Sequence, residues 1–135
     1  MESNIKRTLA NSIIETSSRF KVLLLTGPRQ VGKTTLLKEV EKNTRSYVTL
    51  DDLIQRTAAQ QDPAGFIERL ELPVLIDEVQ YAPNLFSYIK MAVDKTKKCG
   101  EFWLTGSQQF EMMKNITESL AGRVGILNLQ GITLA

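Results

Sequence analysis

The octapeptide GPRQVGKT, residues 27–34, sets two glycines five positions apart and follows them with a lysine and a hydroxyl residue. That is the G-x-x-x-x-G-K-[ST] pattern, and each residue type in it has a task around a polyphosphate. Glycines let the backbone curl so that successive N–H groups point inward and approach phosphate oxygens closely. A helix starting at the end of the loop adds its N-terminal partial positive charge. The predicted cradle comprises Gly27, Pro28, Arg29, Gln30, Val31, Gly32, Lys33, Thr34 and Thr35. Lys33 supplies a mobile cation to the β- and γ-phosphates and Thr34 a hydroxyl to Mg²⁺, while Thr35 is placed for the α-phosphate. With glycine at about 7% per position and comparable values for the rest, the pattern arises by accident in such a chain on the order of 0.5% of the time.

Three further stretches carry polar groups at the ends of apolar runs. VLIDEVQ ends in Asp77 and Glu78. Carboxylates there are costly unless something cationic faces them, and in an open α/β sheet ligands collect at the carboxyl ends of strands. Asp77 suits Mg²⁺, directly or through water, and Glu78 could orient or deprotonate an attacking water. WLTGSQ brings Thr105, Ser107 and Gln108 to another strand end. Ser107 could hydrogen-bond the lytic water or the γ-phosphate, or simply cap the next helix. In SLAGRVG, Arg123 could stabilise transition-state charge, in its own copy or on a neighbour, or lie on the surface. Arg29, inside the loop, could equally face solvent.

The elements needed to hold these groups are legible in the spacing. Ile5, Leu9 and Ile13 predict an amphipathic helix ending near Ser17–Ser18. KVLLLTG is a continuous apolar run, as expected of a strand covered on both faces. A helix is predicted from Gly32–Lys33 to about Lys42, a second strand over 46–52, and a helix in DLIQRTAAQQ. Asp62 and Pro63 mark the start of another helix. LPVLIDEVQ, GEFWLTGSQ and RVGILNLQGITL read as three more strands. Helices carrying Leu85, Ile89 and Val93, and QFEMMKNITESLAG closed by Gly122, separate them. Alternating strands and helices with apolar strands mean an α/β fold with a mostly parallel sheet.

Composition narrows the chemistry. The 135-residue chain suits one domain, with 42% hydrophobic and 24% charged residues. A net charge of +2 is too small to argue for nucleic acid, and the basic run KTKK at 95–98 reads as a solvated helix end. The chain has no histidine, which removes Ser-His-Asp and Cys-His catalysis and the usual zinc sites. The lone Cys99, beside Gly100 and before an apolar run, reads as a structural thiol and suits a reducing compartment. No apolar run is long enough to span a bilayer, and MESNIKRTLANS lacks a signal-peptide core, so a cytoplasmic location is expected.

A guanine-specifying N-K-x-D is absent, and a small-molecule kinase has little use for Glu78, so hydrolysis of ATP is the favoured reaction. Taken in order, the phosphate loop, VLIDEVQ, WLTGSQ and SLAGRVG resemble AAA-type P-loop ATPases of bacteria and archaea. They are most similar to a group in which this domain precedes one of unknown function. The resemblance extends over YVTLDD and DPAGFIERL, and LTGSQ with LAGR is its more diagnostic part. It implies a three-layer α/β/α sandwich, a five-stranded parallel sheet in the order 5-1-4-3-2, and ATP with Mg²⁺ as ligands. It also implies Asp77 and catalytic Glu78 as Walker B, Ser107 as a sensor-like residue, and Arg123 as part of a GR signature. Relatives of this kind continue past a strand like GILNLQGITLA. The chain is therefore expected to be the ATPase domain of a longer protein, with its protein or nucleic-acid partner bound elsewhere and a homo-oligomer among the allowed assemblies. Two rival readings are a nucleotide-dependent binding switch with little turnover and direct DNA binding through KTKK.

Overall fold

In the computed structural model, residues 2–28, 32–41 and 44–129 are described. The elements run α1 (Glu2–Arg19), β1 (Val22–Thr26), α2 (Lys33–Glu41), β2 (Ser46–Thr49), α3 (Leu53–Gln61), α4 (Pro63–Glu68) and β3 (Val74–Asp77). A single 3-10 turn (Val79–Tyr81) leads to α5 (Leu85–Asp94), β4 (Phe102–Gly106), α6 (Phe110–Leu120) and β5 (Val124–Asn128). All strand pairs are parallel and the sheet order is β2-β3-β4-β1-β5, the expected order read from the other edge.

The apolar run at β1 exists because both sides of that strand are covered. All five of its residues are buried. Successive strand side chains point to opposite faces, and Leu23 and Leu25 join Ile13, Leu36, Leu37, Leu75 and Trp103 in one core beneath α1 and α2. Val22 and Leu24 join Ile76, Phe86, Ile89, Leu104 and Ile116 in the other, beneath α3 to α6. Three layers follow from that division.

Several boundaries move by a few residues. The helix α1 continues to Arg19, with the Phe20 N–H still bonded to the Thr16 carbonyl at 3.0 Å. Of its expected stripe Ile13 is fully buried, whereas Ile5 is 44% exposed. The second strand stops at Thr49 rather than 52. The Asp52 carboxylate accepts the Ile54 and Gln55 N–H groups, at 2.8 and 3.3 Å, and so turns the chain into α3. Asp62 caps α4 as expected, accepting from the Gly65 N–H at 3.1 Å, with Pro63 the first helical residue. Cys99, expected as a structural thiol, is exposed in the segment before β4. That segment is held by its neighbours instead, through Gly100 N–H to the Phe20 carbonyl.

The end of the sheet away from the phosphate loop is tied by Arg45. Its guanidinium lies 3.9 Å from the Trp103 ring centroid and donates to the carbonyls of Val74, Gly100 and Glu101 at 3.3, 2.7 and 3.2 Å. Trp103 Nε1 in turn donates to Ser17 Oγ at 2.8 Å, locking α1 onto the sheet.

Truncating Leu24 at the centre of this arrangement removes buried methyls and leaves a cavity. Leu24→Ala should cost about 2–5 kcal/mol, read as a lower urea midpoint at unchanged slope.

Candidate active site

The carboxyl ends of β1, β3 and β4 converge, as the strand register requires. Thr26 pairs with Gly106 across β1 and β4, and the Gly27 N–H reaches the Gly106 carbonyl at 3.3 Å. Gly32 takes φ +84°, a left-handed conformation that glycine adopts without a Cβ penalty, and its carbonyl accepts the first bond of α2 from Leu36 at 3.0 Å. Lys33 is thereby carried into the interior at only 3% exposure, where Nζ donates to the carbonyls of Gly27 and Pro28 at 2.8 and 3.0 Å. Arg29, Gln30 and Val31 of the predicted cradle lie outside the described residues.

Asp77, the last residue of β3, is buried. Four hydroxyls from three elements point at its carboxylate. Thr34 of α2 donates to Oδ1 at 2.7 Å, and Thr105 of β4 donates to the same oxygen. Tyr47 and Thr49 of β2 donate to Oδ2, both at 3.1 Å. An anionic carboxylate buried without such donors would be strongly destabilising. The Lys38 ammonium sits 3.8 Å from the Tyr47 ring centroid, so the ring is contacted at its face as well as through its hydroxyl. Partial burial, reinforced by the Asp77 charge, pushes the Tyr47 phenol up to about 12.

Glu78 breaks the strand. Its φ of 62° and ψ of 51° place a non-glycine residue in the left-handed region, a conformation costing on the order of 1–3 kcal/mol and concentrated at functional sites. Its N–H donates to Thr105 Oγ1 at 3.1 Å, so one buried hydroxyl serves both acids, as donor to Asp77 and acceptor from Glu78. The carboxylate accepts from Gln80 Nε2 at 2.8 Å. A polar cavity of about 190 Å³ is lined by Gly32, Lys33, Thr34, Thr35, Asp51, Asp77 and Glu78. That volume lies below the range for a whole drug-sized ligand.

Two expected residues behave differently from the rest. The Ser107 hydroxyl is buried and has no hydrogen-bond partner among the described residues. It does not cap α6, whose N-terminal cap position is Gln109 with no side-chain cap bond. Arg123 is not in the site of its own copy. It precedes β5, where its carbonyl accepts from the Val22 N–H at the amino end of β1, the end of the sheet away from the site. Its guanidinium is engaged by Asp94 in a bidentate pair, Nε to Oδ1 at 2.7 Å and Nη2 to Oδ2 at 3.0 Å. That pairing holds the Asp94 carboxyl below the usual carboxylate range.

Tyr47, Thr49, Asp51 and Gln80 were not expected at the site. YVTLDD carried the signal for three of them, since alternate residues of a strand share a face and Tyr47 and Thr49 are such a pair.

The AAA domain family matches residues 19–135. This chain belongs to that family. Its fold is that of the P-loop NTPases. It is 33% identical over 129 residues to uncharacterized proteins of Mycobacterium tuberculosis and Mycobacterium bovis. The match covers 96% of this chain and 29% of those proteins, so the AAA chain spans less than a third of their length. Among solved structures it is similar to the Walker-type ATPase of Pyrococcus abyssi, with a TM-score of 0.62 and 20% identity, over 93% of this chain and 53% of that one. It is also similar to the Thermotoga maritima RuvB Holliday junction branch migration motor, at a TM-score of 0.55 and 19% identity, over 94% of this chain and 44% of that one. At such identities the likeness is one of fold. Among the described residues no helix of this AAA domain is long and apolar enough to cross a membrane.

The Tyr47 phenol offers a direct check on the hydroxyl cluster. In a spectrophotometric titration, Tyr47→Phe should remove the component titrating near 12, and Asp77→Asn should move that component down toward 10. A phenol raised in the folded state contributes stability that is complete below about 10 and lost as pH rises through about 12. The wild-type chain should therefore lose more stability than Tyr47→Phe over that window.

Proposed function

We propose that this AAA domain binds ATP with Mg²⁺ and hydrolyses it to ADP and phosphate. The observation that carries the reading is the bond between Thr34 and Asp77, which brings a phosphate-loop hydroxyl and a strand-end carboxylate together beside the buried Lys33 and beside Glu78. Hydroxyl and carboxylate oxygens are the donors a hard divalent cation takes, so this pair fits Mg²⁺, with Thr34 and Asp77 holding it directly or through water. When bound, Mg²⁺ supplies neutralisation of charge on the phosphate oxygens.

The side chains of the chain divide the remaining work. The loop amides and Lys33 hold the β- and γ-phosphates, with Lys33 exchanging its bonds to the Gly27 and Pro28 carbonyls for phosphate oxygens. Glu78 accepts a hydrogen bond from the attacking water and orients it in line with the leaving oxygen. Ser107, whose hydroxyl is buried and unpaired among the described residues, supplies a donor at the end of β4 toward the γ-phosphate. Its cost while unpaired, about 1–3 kcal/mol, is recovered on bonding.

Glu78→Gln should leave ATP bound and slow hydrolysis by on the order of 10²-fold or more. Normal turnover in that variant would remove Glu78 from the mechanism. Lys33→Ala should weaken nucleotide binding by on the order of 10²-fold, since it strips a buried charge from its partners. Titrations of ATP and GTP, with and without Mg²⁺, on the wild type and this variant measure it. If the wild-type chain binds neither nucleotide, the proposal fails.

A further inference from the structure

Gln80 lies in the 3-10 turn that follows Glu78, and none of the chemistry above uses it. Its side chain bridges two parts of the site. Nε2 donates to Glu78 Oε2 at 2.8 Å, and Oε1 accepts the backbone N–H of Ser107 at 3.3 Å. These partners leave one orientation of the amide. A carboxylate only accepts and a backbone N–H only donates, so the flipped amide would face carbonyl to carboxylate and NH₂ to N–H.

The space for this bridge is built into β4. A Cβ on Gly106 would stand 3.1 Å from Gln80 Oε1 and 2.8 Å from Met112 Sδ, so any larger residue there would crowd the amide. Glu78 is consequently tied to the end of β4 twice. Its backbone is held through Thr105 and its carboxylate through Gln80. The second tie ends at Ser107, the residue whose own hydroxyl is buried without a partner.

We propose that Gln80 is the positioning residue for Glu78, setting the direction of its carboxylate and making that direction depend on where the segment from Gly106 to Gln108 stands. The inference rests on Glu78 being the group that orients water. The amide touches no reacting atom. It acts by restricting a flexible carboxylate to one direction, and misplacement of a reacting group by about 1 Å costs on the order of 10²-fold in rate.

Two measurements test it. In ¹⁵N–¹H spectra of the nucleotide-free chain, Gln80→Leu should shift the Ser107 backbone amide, and Glu78→Ala should shift the Gln80 side-chain amide. In steady-state assays, Gln80→Leu should lower kcat on the order of 10- to 10²-fold with KM for ATP unchanged. The double variant Gln80→Leu/Glu78→Gln should be no slower than Glu78→Gln alone. Gln80→Asn keeps the amide but shortens its reach, and is expected to fall between wild type and Gln80→Leu; it serves in the same assays if the leucine variant does not fold. Full kcat in these variants while Glu78→Gln is inactive overturns the role of Gln80 and leaves that of Glu78 standing. Full activity of Glu78→Gln overturns both. An unmoved Ser107 amide, or an added loss in the double variant, also rejects the proposal.

Discussion

A carboxylate has been placed at the end of a buried strand, and the architecture around it is organised to satisfy that group. Asp77 is 8% exposed and takes hydrogen bonds from Thr34, Tyr47, Thr49 and Thr105. These donors come from the helix after β1, from β2 and from β4. Their meeting requires parallel strands in the observed order, with β3 between β2 and β4. A shift of either neighbour by one residue would turn its donors to the opposite face and leave the acid unpaired. The polar site thus fixes the strand register as firmly as the apolar layers do.

Those layers supply the rigidity. Every residue of β1, β3 and β4 is buried, and their side chains alternate between two separate cores. Positions at strand ends are then set by packing on both faces, whereas the loops that follow add only a few torsions. This is why Glu78 can sit in a left-handed conformation. Thr105 holds its N–H from a strand that is itself fully covered. The neighbourhood over-determines the backbone there, as such a conformation requires.

Much of this was legible in the residues. The apolar runs ending in glycine or acid predicted β1, β3 and β4, because only strands covered on both faces can be continuously apolar. Asp77, Glu78 and Ser107 fell where strand ends would bring them. Hidden from view was the identity of the partners. Tyr47 and Thr49 are β-formers, and nothing local distinguishes a hydroxyl that fills a strand from one that reaches an acid 28 or 30 residues away. Gln80 looked like one more polar residue in a turn. Arg123 read as a candidate from its place after a helix, but the start of β5 lies at the amino ends of the strands, away from the site, where Asp94 engages it. The length of β2 was misjudged because two aspartates after a strand read as its tail, and Asp52 instead begins the next helix.

The cavity at the meeting point is lined by two acids, a lysine, two threonines, a glycine and the exposed Asp51, with no aromatic side chain among the described residues that line it. On the proposed reading, such a lining engages the polyphosphate that all nucleoside triphosphates have in common. On that reading, any choice among nucleotides rests on residues outside this cavity. A substitution that altered such a choice would leave the cavity lining as it is.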